Sequence, residues 1–245
     1  MTATSTPAIA VRGATPLDVL RLHYAKRQMM FGVPMYILVG VLVVSAIIAL
    51  AIARSGVAAG DLQGTRNNGG IFWSMIGFMV YMGVQSVATT FPLALSLGST
   101  RRAFTLGTLL SHAALAAYVT AATLVLFAIE KLTDQWFFGF YLVDVYILGG
   151  GDLGRLIAIQ FLTILTALSV GAAFSAVWVR FGNRGTTLLG ISLAIVLALG
   201  LLLVVPYAAD IIPAFQLWWL AVAAVLVIAA SAVAQYVCLR RAAVR

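Results

Sequence analysis

Six stretches of this chain, residues 31–53, 71–95, 104–129, 156–179, 186–207 and 214–239, contain no Asp, Glu, Lys or Arg. Each is long enough to cross a hydrocarbon core about 30 Å thick, which takes roughly 20 residues at about 1.5 Å of helical rise apiece. That leaves few folds open. In lipid every backbone N–H and C=O must be satisfied within the protein, so only helices and closed barrels span the membrane. Barrel strands need about 9–11 residues and alternate polar with apolar side chains, and these runs do neither. The expected fold is an all-α integral membrane protein with six transmembrane helices.

Composition agrees. The chain is 63% hydrophobic and 9% charged, with a mean hydropathy of +1.08, whereas soluble domains are about 45–50% apolar and about 25% charged. The net charge of +8 does not point to nucleic acid, because the basic residues are scattered between apolar runs and form no stripe. A single cysteine, Cys238, excludes an internal disulfide and a multi-cysteine metal site. His23 and His112 are far apart in sequence, with no nearby carboxylate at metal-ligand spacing. The first run ends "ALAIARS", which is like a signal cleavage site, but the run exceeds the 7–15 apolar residues of a typical signal and reads as an uncleaved span.

Lysine and arginine positions orient the spans. With the N-terminus in the cytoplasm, the inner side holds Arg12, Arg21, Lys26, Arg27, Arg101, Arg102, Arg180, Arg184, Arg240, Arg241 and Arg245. The outer side holds only Arg54, Arg66, Lys131 and Arg155. Both termini are therefore expected inside. The organisation that follows is a tail and short interfacial helix over 1–30, one transmembrane domain over 31–239, and a tail over 240–245. In the first part, Thr15, Pro16 and Asp18 have the spacing of a helix N-cap, first helical position and capping-box acid. The opening "MTATSTPAIA" reads as a disordered tail, and "RSGVAAGDLQGTRNNGG" as a flexible outer link. Trp136, Phe137, Phe138, Phe140, Tyr141 and Tyr146 crowd the segment between spans three and four. It is expected to lie on or dip into the outer leaflet, as an interfacial belt or as a lid, with "GGGDLG" as a hinge into span four.

Several chemistries lack their residues. Neither lysine sits in a G-x-x-x-x-G-K-[ST] phosphate loop, and no acid lies within the six runs to support a hydrolytic triad or an ion-coupled carrier. The chain is thus not expected to be an enzyme or to hold a cofactor. Uncharged polar residues within the spans, among them Gln85, Gln160 and the ionisable His112, serve either as packing contacts between helices or as the lining of a polar path.

Residues 96–104 read "SLGSTRRAF" and lie between two apolar runs. Gly98 permits a sharp turn, Ser99 and Thr100 can cap the next helix, and the two guanidinium groups of Arg101 and Arg102 offer planar donors to a partner. This pattern resembles the cytoplasmic loop between the second and third spans of type-2 ATP-binding-cassette exporter permeases, and the six-span layout with both ends inside extends the resemblance over nearly the whole chain. The resemblance implies a coupling element that docks on a separate ATPase subunit, which would hold ATP and Mg, and a working unit of two permeases and two ATPases. It also implies that Leu97, Gly98, Ser99, Thr100, Arg101, Arg102 and Phe104 contact that ATPase. The chain departs from many members in having its long outer segment after span three instead of a reentrant hairpin between spans five and six. A bacterial cytoplasmic membrane is the expected location, with export as the function. A non-transporting assembly or sensory subunit, whose arginine loop binds a cytoplasmic partner, is the alternative. The small residues of "SVGAAFSAV", with Gly190 and Gly200, are expected at an interface between two permease copies, identical or related. The substrate stays open among lipid-like compounds, drugs, peptides and polysaccharides.

Overall fold

The structure is a computed structural model and describes residues 14–25, 27–56 and 64–242. The expectations for "MTATSTPAIA", for Arg12, Lys26 and Arg245, and for the middle of the first outer link lie outside those residues. Among the described residues there are eight α-helices, a few short π and 3-10 turns, and no strand. The helices are α1 (Pro16–His23), α2 (Val33–Arg54), α3 (Gly70–Ala88), α4 (Thr90–Ser96), α5 (Arg101–Leu132), α6 (Leu153–Val204), α7 (Ala208–Ala214) and α8 (Leu217–Arg240).

Among the described residues, five helical stretches are long and apolar enough to cross a membrane: Gln28–Arg54, Gly64–Ser96, Arg101–Leu132, Leu153–Ile211 and Leu217–Arg240. Six were expected. The fourth and fifth apolar runs are joined, because "RFGNRGTT" forms no loop and the helical stretch is interrupted only at Gly182, whose φ of 69° and ψ of −165° are non-helical. The 52 residues of α6 would extend about 78 Å if straight, well over twice a bilayer core. Two sets of contacts show where the chain goes. Leu217 and Ala221 near the start of α8 share a cleft with Arg155 and Leu162 near the start of α6. At the other end, Arg180 donates to the Val237 carbonyl at 3.4 Å. The first part of α6 and α8 therefore run side by side in the same direction, and the chain between Gly182 and Leu217 has to travel back.

Another run is divided by proline. Pro92 has no N–H to give the carbonyl of Ala88, and the helix breaks at Thr89, separating α3 from α4. The core centres on α3 and the first part of α6, which cross at two glycines. A Cβ on Gly83 would lie 2.2 Å from the Leu168 carbonyl oxygen, and one on Gly171 would lie 2.1 Å from that of Val80. Only glycine lets these backbones touch. This corrects the expectation for "SVGAAFSAV". Ser169, Gly171, Ala172, Ser175 and Ala176 are buried within the chain, so these small residues serve packing inside it, whereas Gly190 and Gly200 face open space.

At one end of the bundle, here the arginine end, Val19, Phe91, Phe104, Ala176 and Leu239 form a smaller core that joins α1, α4, α5, α6 and α8. The expected capping box of α1 is present, with the Thr15 side chain accepting from the Asp18 backbone and Asp18 from Thr15. α1 packs on α5 through the buried Val19 and His23, the latter contacting the Thr108 hydroxyl. Tyr24 then donates to the Ser111 carbonyl at 3.2 Å and Tyr118 to that of Phe31 at 3.3 Å, which ties the entry of α2 to α5. The tail expected from residue 240 begins inside α8, and Ala242 is buried.

Candidate functional site

The turn between α4 and α5 is built by local capping at both of its ends. Gly98, with φ of 81°, stops α4 while Gly98 N–H donates to the Leu95 carbonyl and Ser99 N–H to that of Ala94, both at 3.0 Å. Thr100 is the N-cap of α5, its side chain accepting from Ala103 N–H at 3.1 Å. All seven residues expected to contact a partner belong to this turn, but they divide. Leu97, Gly98, Thr100 and Arg102 are exposed. Ser99 is buried and bridges to Ala14. Phe104 is wholly buried, edge-on to Phe91 with ring centroids 5.1 Å apart. Arg101 turns inward, donating to the carbonyls of Leu239 at 2.6 Å and Arg240 at 2.7 Å.

Beside this turn, at the arginine end, α1 and the π turn Gln28–Gly32 close over α3 and α4 to leave a cavity of about 210 Å³. Met29, Met30 and Met82 supply apolar wall, and Gln85, Ser86, Thr89 and Thr90 supply hydroxyls and an amide. Gln85 donates to the Tyr81 hydroxyl at 2.9 Å. The Ser86 hydroxyl gives its proton to the Gly83 carbonyl at 2.7 Å, so its 2.9 Å contact with His112 must be donated by the imidazole Nε2. That selects the Nε2–H tautomer of His112, buried directly behind the cavity wall. His23, also in the lining, contacts the Thr108 hydroxyl through Nε2 at 3.1 Å, and burial lowers its pKa from 6.5 to about 4. The lining is therefore uncharged at neutral pH and suits a neutral polar group carried on an apolar body.

Of the three polar residues singled out in the spans, Gln85 and His112 meet at this cavity, while Gln160 is elsewhere. Gln160 is buried and donates to the Thr123 hydroxyl at 3.4 Å. Thr123 is about 16 Å further along α5 than His112. Gln160 therefore belongs to helix packing in the other half of the bundle.

Two acids that sequence reasoning left in the outer loops organise the far end. Glu130 is completely buried. One carboxylate oxygen accepts from Asp144 N–H at 3.1 Å, and the other from the Trp136 indole, Leu142 N–H and Val143 N–H at 2.8–3.2 Å. Asp144, also buried, pairs with Arg66 at 2.7 Å and Lys131 at 2.5 Å, and Arg66 lies over the rings of Tyr141 and Tyr146. Burial alone would raise the Asp144 pKa, but the bonds and charges of Lys131 and Arg66 outweigh it and hold the value below the usual carboxylate range. Within the aromatic segment, Phe140, Leu142, Val143, Val145 and Leu148 are buried as a cap on the bundle, while Phe137 and Tyr146 stay exposed. Arg66 anchors the end of the outer link, and the glycines of "GGGDLG" form a tight turn with left-handed φ at Gly149, Gly150 and Gly151. No sequence signal marks Glu130, because three of its four donors are backbone amides.

Comparison with known proteins finds no matching family model, no matching curated protein and no matching solved structure. Fold and site define the class: an all-α protein compatible with several passes through a membrane, with an arginine-bearing helical turn at one end and a polar-anchored cap at the other.

Proposed function

We propose that this chain is the permease subunit of a type-2 ATP-binding-cassette exporter in a bacterial cytoplasmic membrane, with no catalysis of its own. The arginine end faces the cytoplasm and the capped end faces outward. The chain crosses six times, the fourth and fifth crossings being the two parts of α6 on either side of Gly182. A separate ATPase subunit binds ATP and Mg, and a second permease copy completes the pathway.

The observation that carries this reading is the division of labour in the α4–α5 turn. Leu97, Thr100 and Arg102 project from a doubly capped, rigid turn, while Arg101 of the same turn holds the end of α8. A partner that pushes on the exposed residues therefore moves a helix in the membrane as well as the turn. The neighbouring cavity, with Gln85 and Ser86 in its wall, is the place where a neutral amphipathic substrate would first be held. Pull-down from membranes tests the proposal: the wild-type chain should recover a subunit with a phosphate-loop ATPase motif, and Arg102→Glu should lose it while inserting normally. Recovery of a partner without that motif, or unchanged recovery with Arg102→Glu, overturns the assignment.

A further inference from the structure

The first part of α6 and the start of α8 do not close on each other at the capped end. Between them is a cleft of about 360 Å³ whose walls include Ala158 and Leu162 of α6 and Ala221 and Ala224 of α8. The three alanines leave room that larger side chains would fill. Both helices belong to stretches apolar enough to cross a membrane, so in a bilayer lipid tails would lie alongside the cleft. Arg155 stands among its lining residues, with Asp152 at 3.6 Å. Both charged side chains are more than half exposed, 59% and 53% respectively.

We propose that this cleft is a binding site for one phospholipid of the zwitterionic, primary-ammonium class, taken from the leaflet at the capped end. One acyl chain lies between α6 and α8, the phosphate meets Arg155 and the ammonium meets Asp152. Chain burial cannot select the ligand, because lipid tails are as apolar as the cleft they would leave them for. Selection has to come from Arg155 in the lining and from Asp152, which pairs with it from just before the first turn of α6. A guanidinium offers paired donors to phosphate oxygens. An anionic lipid would satisfy Arg155 but set its phosphate against the Asp152 carboxylate, and a lipid without phosphate would leave Arg155 unused. Trp218 adds a ring face at the same level, its indole N–H already donating to Gln216 at 2.6 Å. The site is independent of the exporter reading, since it uses neither the arginine end nor an ATPase.

The test is retention of lipid by the full chain, purified in detergent and stripped, then offered phosphatidylethanolamine, phosphatidylglycerol and diacylglycerol of matched chains, with adducts counted by native mass spectrometry. Phosphatidylethanolamine should be retained about threefold over phosphatidylglycerol, a modest ratio because both charges are exposed. Arg155→Gln should remove the advantage of phosphatidylethanolamine over diacylglycerol while keeping its preference over phosphatidylglycerol, which rests on Asp152. Asp152→Asn keeps a residue able to cap α6 and should turn the preference toward phosphatidylglycerol. Ala221→Trp should block retention of all three lipids, with an unchanged unfolding temperature showing that the fold persists. Equal retention of the three lipids by the wild type, or retention indifferent to Ala221→Trp, overturns the proposal. So does a copy-to-copy crosslink through Ala221→Cys in a Cys238→Ser background in lipid-replete membranes, because a second chain would then occupy the cleft.

Discussion

Arg101 reaches from the first turn of α5 to the backbone carbonyl of Leu239 in the last turn of α8, 2.6 Å away. The last carbonyls of a helix have no partner within it and carry its negative dipole end, so a cation there is favourable. At the N-terminus of α5 the same charge is unfavourable. Its place makes sense only through α8. Replacing it by alanine should cost about 1–2 kcal/mol, seen as a lower unfolding temperature and faster hydrogen exchange in the last turn of α8. Arg102→Glu should change neither. Equal effects from both variants would show that the two arginines do not divide their roles.

Glu130→Gln tests the cap. The amide keeps one acceptor oxygen but turns an NH2 toward a backbone N–H, so at least one charge-assisted bond is replaced by two opposed donors. The expected loss is about 2–3 kcal/mol. Limited proteolysis near Phe137, already exposed, should accelerate. A stability equal to wild type would mean that the buried carboxylate does not hold the segment.

Acid should weaken the protein in two windows. Burial depresses the folded-state pKa of His23 to about 4 from 6.5. The unfolded chain therefore takes up that proton first, and stability that is full above pH 6.5 falls toward pH 4 by about 1.4 kcal/mol per unit. Asp144 has its folded value below the ordinary 3.8, so the stability it contributes is present above about pH 3.8 and is lost as the pH falls through the folded value. Unfolding temperatures from pH 7.5 to 3 should show a shallower upper slope for His23→Gln and a missing lower loss for Asp144→Asn. An unaltered upper slope in His23→Gln would remove His23 from the account.

The glycine crossing has an internal control. Gly83→Ala puts a methyl 2.2 Å from the Leu168 carbonyl oxygen and should force α3 from α6, with loss of folded protein on size-exclusion chromatography. Gly77→Ala, in the same helix with nothing within 4 Å, should be neutral or raise stability by about 0.5–1 kcal/mol. Similar outcomes for the two would show that backbone contact at Gly83 is not needed.

Helices long and apolar enough to span a membrane were legible because that depends on length and apolar content alone, and the caps at Thr15, Gly98 and Thr100 were legible because their partners are only a few residues away. What the sequence hid was long-range. Arg101 finds carbonyls 138 and 139 positions along the chain, and a carbonyl is offered by every residue. The inward face of Gly171 looked the same as a face for a second copy, since both demand small side chains. The break at Gly182 was legible as well, since the charged and glycine-bearing residues 180–185 separate the fourth and fifth apolar runs; what the sequence did not show is that a single residue with positive φ makes the break without a loop.

Where Gly83 meets Leu168 and Gly171 meets Val80, there is no layer of side chains to act as a bearing between α3 and the first part of α6. Neither helix can roll or slip along the other without driving a carbonyl into a backbone. The pair must tilt as a single strut, and the exposed chain between Gly182 and Leu217 has no comparable glycine crossing to hold it, with nothing within 4 Å of Gly190 or Gly200.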